Sequence, residues 1–278
     1  MSGRTHPGWL IASHAILLTW TAVALFPVLL VIVNSFKDRR AIFGSPLSLP
    51  DAQTFSLIGY EQVFRGSAFL SYMMNSVIVT ASSLFLVVLF GAMAAFALSE
   101  YRFRGNWLIG LYVAMGIMIP IRLGTVAILQ LMVASGLVNT LLALILVYTA
   151  SGLPLAVFIL TEFMKTVSAD LKNAGRIDGL SEYRIFFRLV LPLIRPALAT
   201  IVVFSMLPIW NDLWFPLILA PGEATKTITL GTQMFIGEYV TDWNAVLAAL
   251  SVATVPVVLL YLVSSRQLIR GITAGAVK

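Results

Sequence analysis

Apolar residues in this chain come in long unbroken runs rather than in alternation with polar ones. Six stretches stand out, at 9–33, 69–98, 107–133, 140–160, 196–218 and 245–263. A helix needs about 20 such residues to cross a hydrocarbon layer about 30 Å thick at about 1.5 Å per residue. Lipid cannot satisfy open backbone groups, and no period-two pattern suggests a barrel, so each run predicts a spanning helix. The second run exceeds what a span requires, which predicts tilt or a start outside the bilayer. Because the runs extend from near the start to near the end, residues 1–278 read as one membrane domain.

The polar segments between the runs predict an orientation. With the N-terminus inside, the inner loops collect Arg4, Arg102, Arg104, Lys165, Lys172, Arg176, Arg184, Arg188, Arg195, Arg266, Arg270 and Lys278. The outer loops keep Lys37, Arg39, Arg40, Arg65 and Lys226. Cytoplasmic loops favour Lys and Arg, so both termini are expected to be cytoplasmic, although Lys37–Arg40 runs against the rule locally. Two outer segments are long. Residues 37–68 are rich in Ser, Gly and Pro and predict a loop with short helices. Residues 219–244 hold a Pro221-Gly222 turn and then a semi-apolar stretch fit for a surface helix or a dip into the membrane.

The inner segment 165–195 is too long for a connector and too patterned for a loop. Val167, Leu171, Ala174 and Ile177 recur at steps of four, three and three, which marks one face of a helix. Ser168 is placed to cap its start, with Asp170 favourable near the positive end of the helix dipole. Asp178-Gly179 breaks it. Ser181-Glu182 opens a second helix with Tyr183, Phe186, Phe187, Val190 and Leu191 on its apolar side, and Pro192 and Pro196 close the segment where the chain re-enters the membrane. Three roles fit such a pair: lying in the headgroup layer, packing under the bundle, or docking into a groove of a cytoplasmic partner.

Composition narrows the class further. Of 278 residues, 59% are apolar and 11% charged, against about 45–50% and about 25% in soluble domains. Net charge is +6, which in this setting reflects basic inner loops and not nucleic acid. There are no cysteines, so thiol nucleophiles, disulfides and thiolate metal sites are excluded. The two histidines, His6 and His14, precede or open the first run, which excludes a histidine centre deeper in the chain. That first run continues apolar past Ala22-Val-Ala24, so it is expected to stay as a span and not to be cleaved as a secretory signal. No GxxxxGK[ST], HExxH or GxSxG string occurs, so the chain has no P-loop of its own and no recognisable hydrolase centre.

Asn173-Ala174-Gly175, three residues, Gly179, nine residues and Leu189-x-Leu191-Pro192 resemble the cytoplasmic EAA loop of binding-protein-dependent ABC importer permeases. The string LKNAGRIDGLSEYRIFFRLVLPLIRP is similar to the carbohydrate branch of that family. Further matches are Asn75-Ser76, Ala94-Ala95-Phe96-Ala97 with Tyr101–Gly105, Gly136–Thr140, Trp210-Asn211-Asp212 with Trp214–Leu217, and the tail Arg270–Lys278. The resemblance covers about residue 15 to the end and is closest to the smaller, MalG-like permease.

It implies the six-span type I importer permease fold with a helix–Gly–helix coupling loop, in the cell (inner) membrane. It also implies a second homologous permease, two ATP-binding subunits that hold ATP and Mg, and an extracytoplasmic sugar-binding protein. Coupling to the ATPase would fall to Leu171, Asn173, Ala174, Gly175, Ile177, Asp178, Gly179 and Pro192. Two positions depart from the pattern: Asn173 stands where the family has Glu, and Gly175 where it has Ala. The first removes a charge that could pair with the ATPase; the second costs about 0.5–1 kcal/mol in a helix interior.

Polar groups at membrane depth are costly and so become candidates for the translocation path. Arg122, beyond a kink expected at Pro120, either faces the path or a partner, or snorkels from a helix end. Trp210, Asn211 and Asp212 with Trp214 fit the lining of a sugar path, or else an outer aromatic belt with Asp212 pairing to the neighbouring permease. Asn75 and Gln130 are weaker candidates, since a lone amide also serves as glue between helices. A self-sufficient secondary carrier would show internal repeats and coupling acids, and an intramembrane enzyme would show a convergent nucleophile, base or metal set. Neither pattern is present.

Overall fold

A computed structural model describes residues 7–65, 68–237 and 241–276, with side chains described up to residue 262. Arg4, His6 and Lys278 lie outside the described residues, as do the side chains of Arg266 and Arg270 and most of the tail motif. Described residues form helices in the order α1 Pro7–Ser35, α2 Arg39–Gly44, α3 Ile58–Arg65, α4 Phe69–Glu100, α5 Asn106–Met118, α6 Thr125–Ala134 and α7 Leu141–Lys165. Then come α8 Ala169–Ile177, α9 Glu182–Arg184, α10 Leu191–Leu193, α11 Arg195–Trp210, α12 Trp214–Leu219, α13 Ile228–Thr232 and α14 Trp243–Ala276. Four helices are individually long and apolar enough to cross a membrane; counting each of two sharply bent pairs as one span makes six. The chain is a multi-pass membrane protein.

The kink expected at Pro120 is present and sharp, and a second bend is one not expected from the sequence. The run expected at 107–133 breaks by 88° between α5 and the 3₁₀ turn Ile121–Gly124 that leads into α6. Pro120 sits at that break; it lacks an N–H and forces its predecessor Ile119 into an extended conformation (ψ 112°). The run expected at 196–218 is joined to the preceding loop helices through a 76° bend and ends at Trp210, with α12 starting separately at Trp214. Apolar composition continues up to the Pro120 break, so hydropathy alone does not register it, whereas Arg195 stands at the second bend and Asn211-Asp212 mark the gap before α12.

The chain packs as two compact units. One comprises the described parts of Met1–Phe69 and Thr232–Val255. In it the expected outer loop carries α2 and α3, and the Lys37 side chain is fully buried, donating to the carbonyls of Ser45 (2.9 Å) and Pro46 (3.3 Å). Burial pulls the Lys37 pKa below its ordinary value. Of the cations that run against the charge rule, Lys37 is thus an internal tie of the loop, whereas Arg39 and Arg40 are exposed. Asn244 fastens the same segment by donating to the Lys37 carbonyl at 2.7 Å.

The other unit comprises Leu70–Gly231 and the described part of Pro256–Lys278. Its core joins Val87, Ala95 and Phe96 of α4 to Ala156, Leu160 and Met164 of α7 and to Ile185, Phe186, Val190 and Ile201. Small residues let α4 and α7 approach: a Cβ on Gly152 would come within 2.7 Å of Val87, and one on Gly91 within 2.8 Å of Ala156. Close contact of small residues is how membrane helices associate where lipid supplies no hydrophobic drive. Asn139, held at φ 60°, accepts from the Gly222 N–H at 2.9 Å and donates its own N–H to the Leu219 carbonyl, latching the turn before α7 to the turn after α12.

Candidate functional site

The loop 165–195 folds as the spacing predicts at its first helix. Ser168 accepts from the Asp170 N–H at 3.1 Å and caps α8. At the other end Gly179 adopts φ +76°, its N–H bonds the Arg176 carbonyl, and the Leu180 N–H bonds the Gly175 carbonyl. Together these two bonds close a Schellman motif, for which a left-handed residue is required and glycine is the least strained choice.

Which way α8 faces decides what it can do. Its apolar stripe points outward: Leu171 is 41% exposed, Ile177 is 86% exposed, and Ala174 is exposed between them. Its inward face carries Lys172 and Gly175, both buried. A helix that buries a lysine and exposes an isoleucine is built to be covered by something else. Leu171, Ala174 and Ile177 are thus turned away from the chain's own core, whereas Val167, which precedes α8, packs against it.

An ion cluster holds the inverted face in place. Glu100, the last residue of α4, accepts from Lys172 and from Arg176, the latter at 2.6 Å. Arg176 also donates to Glu182 at 2.8 Å and to the Asn173 side-chain oxygen at 2.9 Å, and the Tyr101 hydroxyl donates to Glu182 at 3.0 Å. Hydrogen bonds from Arg176 to Glu182 and then Glu100 raise the guanidinium pKa further above its ordinary value. Asn173 therefore keeps an acceptor where the family's Glu would carry a charge, and spends it within α8. Asp178 and Gly179 are exposed at the bend.

The second half of the loop is anchored, not displayed. Phe186 and Val190 lie in the core, whereas Tyr183 is 73% exposed. Residues Ile185–Val190 form π-helical turns, with the Leu191 N–H reaching back five residues to the Phe186 carbonyl. Pro192 brings no N–H to the ladder and sits at the start of α10, so it shifts the register instead of closing the segment; Pro196 likewise lies in the first turn of α11. Gly175 meets this π segment closely: a Cβ there would lie 2.9 Å from the Leu189 Cδ1 atom.

A second polar centre forms where α11 gives way to α12. The buried carboxylate of Asp212 accepts from Arg122 (3.3 Å), the Tyr148 hydroxyl (2.9 Å) and the backbone N–H groups of Trp214 (3.3 Å) and Phe215 (3.1 Å). Trp214 donates its indole N–H to Thr125 at 2.9 Å. Asp212 finds its cation within the chain, and the Arg122 side chain stays 67% exposed beside it. Trp210 is buried, Asn211 is exposed and donates to the Leu207 carbonyl at 3.0 Å, and Gln130 is exposed on α6. Asn75 lies apart from this centre: buried, it donates to the carbonyls of Ala224 and Lys226, both at 2.9 Å, and holds that turn against α4.

Comparison with known proteins settles the family. Residues 87–273 match the family described as "Binding-protein-dependent transport system inner membrane component". The chain belongs to this family. This permease is 35% identical over 265 residues to the "Diacetylchitobiose uptake system permease protein NgcG" of Streptomyces coelicolor, covering 95% of this chain and 87% of that one. It is 32% identical to the "Arabinooligosaccharides transport system permease protein AraQ" of Halalkalibacterium halodurans, covering 92% of each. Its fold matches a chain of a bacterial ABC transporter involved in the import of the acidic polysaccharide alginate, with a TM-score of 0.79 at 20% identity over 96% of this chain and 98% of that one. The permease is a transport component of an ABC system and not an enzyme.

Sequence reasoning missed Glu100, Lys172, Arg176, Glu182 and Tyr148 as members of these clusters. One signal was available for Glu100: it is the last residue of a 32-residue helix that has no other charge, and a carboxylate at a span end calls for a cation.

Proposed function

We propose that this permease forms half of the translocation path of a carbohydrate importer and is driven through α8 by a cytoplasmic ATP-binding subunit. The outward stripe of Leu171, Ala174 and Ile177 carries this reading, because a short rigid helix with an exposed apolar face suits a groove on another protein. A carbohydrate as cargo is supported by relatives named for diacetylchitobiose and arabinooligosaccharides. The assembly would pair the chain with a second homologous permease and two ATP-binding subunits, with an extracytoplasmic sugar-binding protein delivering cargo. The setting is the cell's inner membrane with both termini cytoplasmic, as the placement of Lys and Arg favours. ATP and Mg would reside in the partner subunits.

Motion would pass from α8 by two routes. The ion cluster ties α8 to the end of α4 through Glu100, and the buried Phe186 and Val190 tie the next turns to α7 and α11. Closure of the partner subunits would drag α8 as a rigid handle and bias the permease between inward-open and outward-open states. At the far end of α11, Arg122 and Trp214 meet at the Asp212 centre and Asn211 is exposed next to it in the chain, and polar and aromatic groups of this kind would suit sugar hydroxyls. Uptake of labelled oligosaccharides by cells carrying Ile177→Asp tests the reading. Abolished uptake with normal membrane insertion supports it, and wild-type uptake overturns it.

A further inference from the structure

A cleft of about 900 Å³ opens between the end of α4, the turn that follows it, α5 and α7. Its walls include Leu111, Ala114 and Phe158, while Arg102, Trp107 and Lys165 lie at its polar end. None of the residues of α5 is buried within the chain, although this helix is 13 residues long and almost wholly apolar. Room is real at its floor: a Cβ added to Gly110 would meet nothing within 4 Å. The mouth is preformed, since Asn106 donates to the carbonyls of Leu98 (3.1 Å) and Tyr101 (2.6 Å) and fixes the turn that carries Arg102.

Charge at the mouth is lopsided. Arg102 is exposed and makes no ion pair among the described residues. Lys165 pairs with Glu162 at 2.6 Å, but both side chains are more than half exposed, so water screens the pair and leaves the ammonium available to another anion. Arg104 is exposed two residues from Arg102. We infer that this cleft is a binding site for one anionic phospholipid, with its headgroup phosphate between Arg102 and Lys165 and an acyl chain laid along α5. Basic clefts between spans next to a membrane surface recognise anionic headgroups, and α5 offers about 20 Å of apolar wall for a chain. Trp107, 73% exposed at the rim, occupies the level where indoles meet headgroups. The site follows from the cleft and its charges, and it stands whatever cargo the permease carries.

Trp107 itself supplies the probe. The full-length chain, in the complex with which it purifies, is placed in phosphatidylcholine vesicles containing a minority of phosphatidylglycerol. Brominated acyl chains are carried on one lipid or the other at equal total bromine, and the Trp107 signal is isolated by subtracting Trp107→Phe. The site predicts stronger quenching from brominated phosphatidylglycerol. It also predicts that Arg102→Gln and Lys165→Gln each cut this preference about fivefold. Equal quenching by the two lipids overturns it, as does a preference that survives the double variant. Absence of Trp107 quenching also overturns it, because another polypeptide would then fill the cleft.

Discussion

The Arg176 guanidinium donates to the Glu100 carboxylate at 2.6 Å, joining the exposed loop helix α8 to the last residue of the spanning helix α4. Lys172 donates to the same carboxylate, and the side chains of Lys172 and Glu100 are 10% and 11% exposed. One carboxylate thus bridges two cations at the root of α8, and Arg176 draws its further counter-charge from Glu182 at 2.8 Å.

Glu100→Gln leaves Lys172 short of a counter-charge in a site largely closed to water, while Arg176 keeps Glu182, and removing one partner of a buried pair is the costly way to break it. We expect reduced uptake with the chain still inserted. Lys172→Met should partly rescue Glu100→Gln, with a coupling of about 1–3 kcal/mol in a double-mutant cycle read by thermal unfolding of the purified complex. Strict additivity would show that the pair does not act as a unit.

At Gly179 the chain needs a positive φ for the turn that stops α8. Gly179→Asn should retain much of the uptake, because asparagine tolerates this region. Gly179→Val should lose it, at a cost of about 1–2 kcal/mol or more for a β-branched residue held there. Comparable uptake by the two variants would contradict the turn's role.

The Asp212 centre separates two effects that a list of ion pairs would merge. Arg122 is 67% exposed, so Arg122→Gln should change stability by no more than about 1 kcal/mol. Asp212→Ala strips acceptors from Tyr148 and from two backbone N–H groups at once, and should cost at least about 2 kcal/mol. Thermal unfolding of the two variants in detergent measures the difference, and equal losses would contradict the assignment.

These contrasts also show what the amino-acid pattern could disclose. Spans were legible because hydrocarbon imposes a minimum length on any crossing helix, and the stop at Asp178-Gly179 was legible because glycine is the cheapest left-handed residue. Periodicity placed Leu171, Ala174 and Ile177 on one face but could not say which way that face points. Its outward direction depends on Lys172 finding Glu100, 72 residues away in the chain. The π turns at Ile185–Val190 leave hydropathy unchanged, whereas the break at 211–213 carries the polar pair Asn211-Asp212 and the break at Pro120 is signalled by the proline itself. What a local window does not contain is the tertiary partner that completes such a site, such as the Tyr148 hydroxyl for Asp212.

The chain has no cysteine, so Ile177→Cys would introduce a single thiol at the tip of the exposed stripe without background. Crosslinking this thiol to cysteines placed around the groove of the ATP-binding subunit, in membranes holding the assembled transporter, measures directly whether α8 is gripped. We predict an efficient crosslink from position 177, whose yield changes when ATP is trapped. A thiol at 177 that reacts freely with a bulky water-soluble reagent in the assembled complex, and crosslinks to no other subunit, would contradict the account.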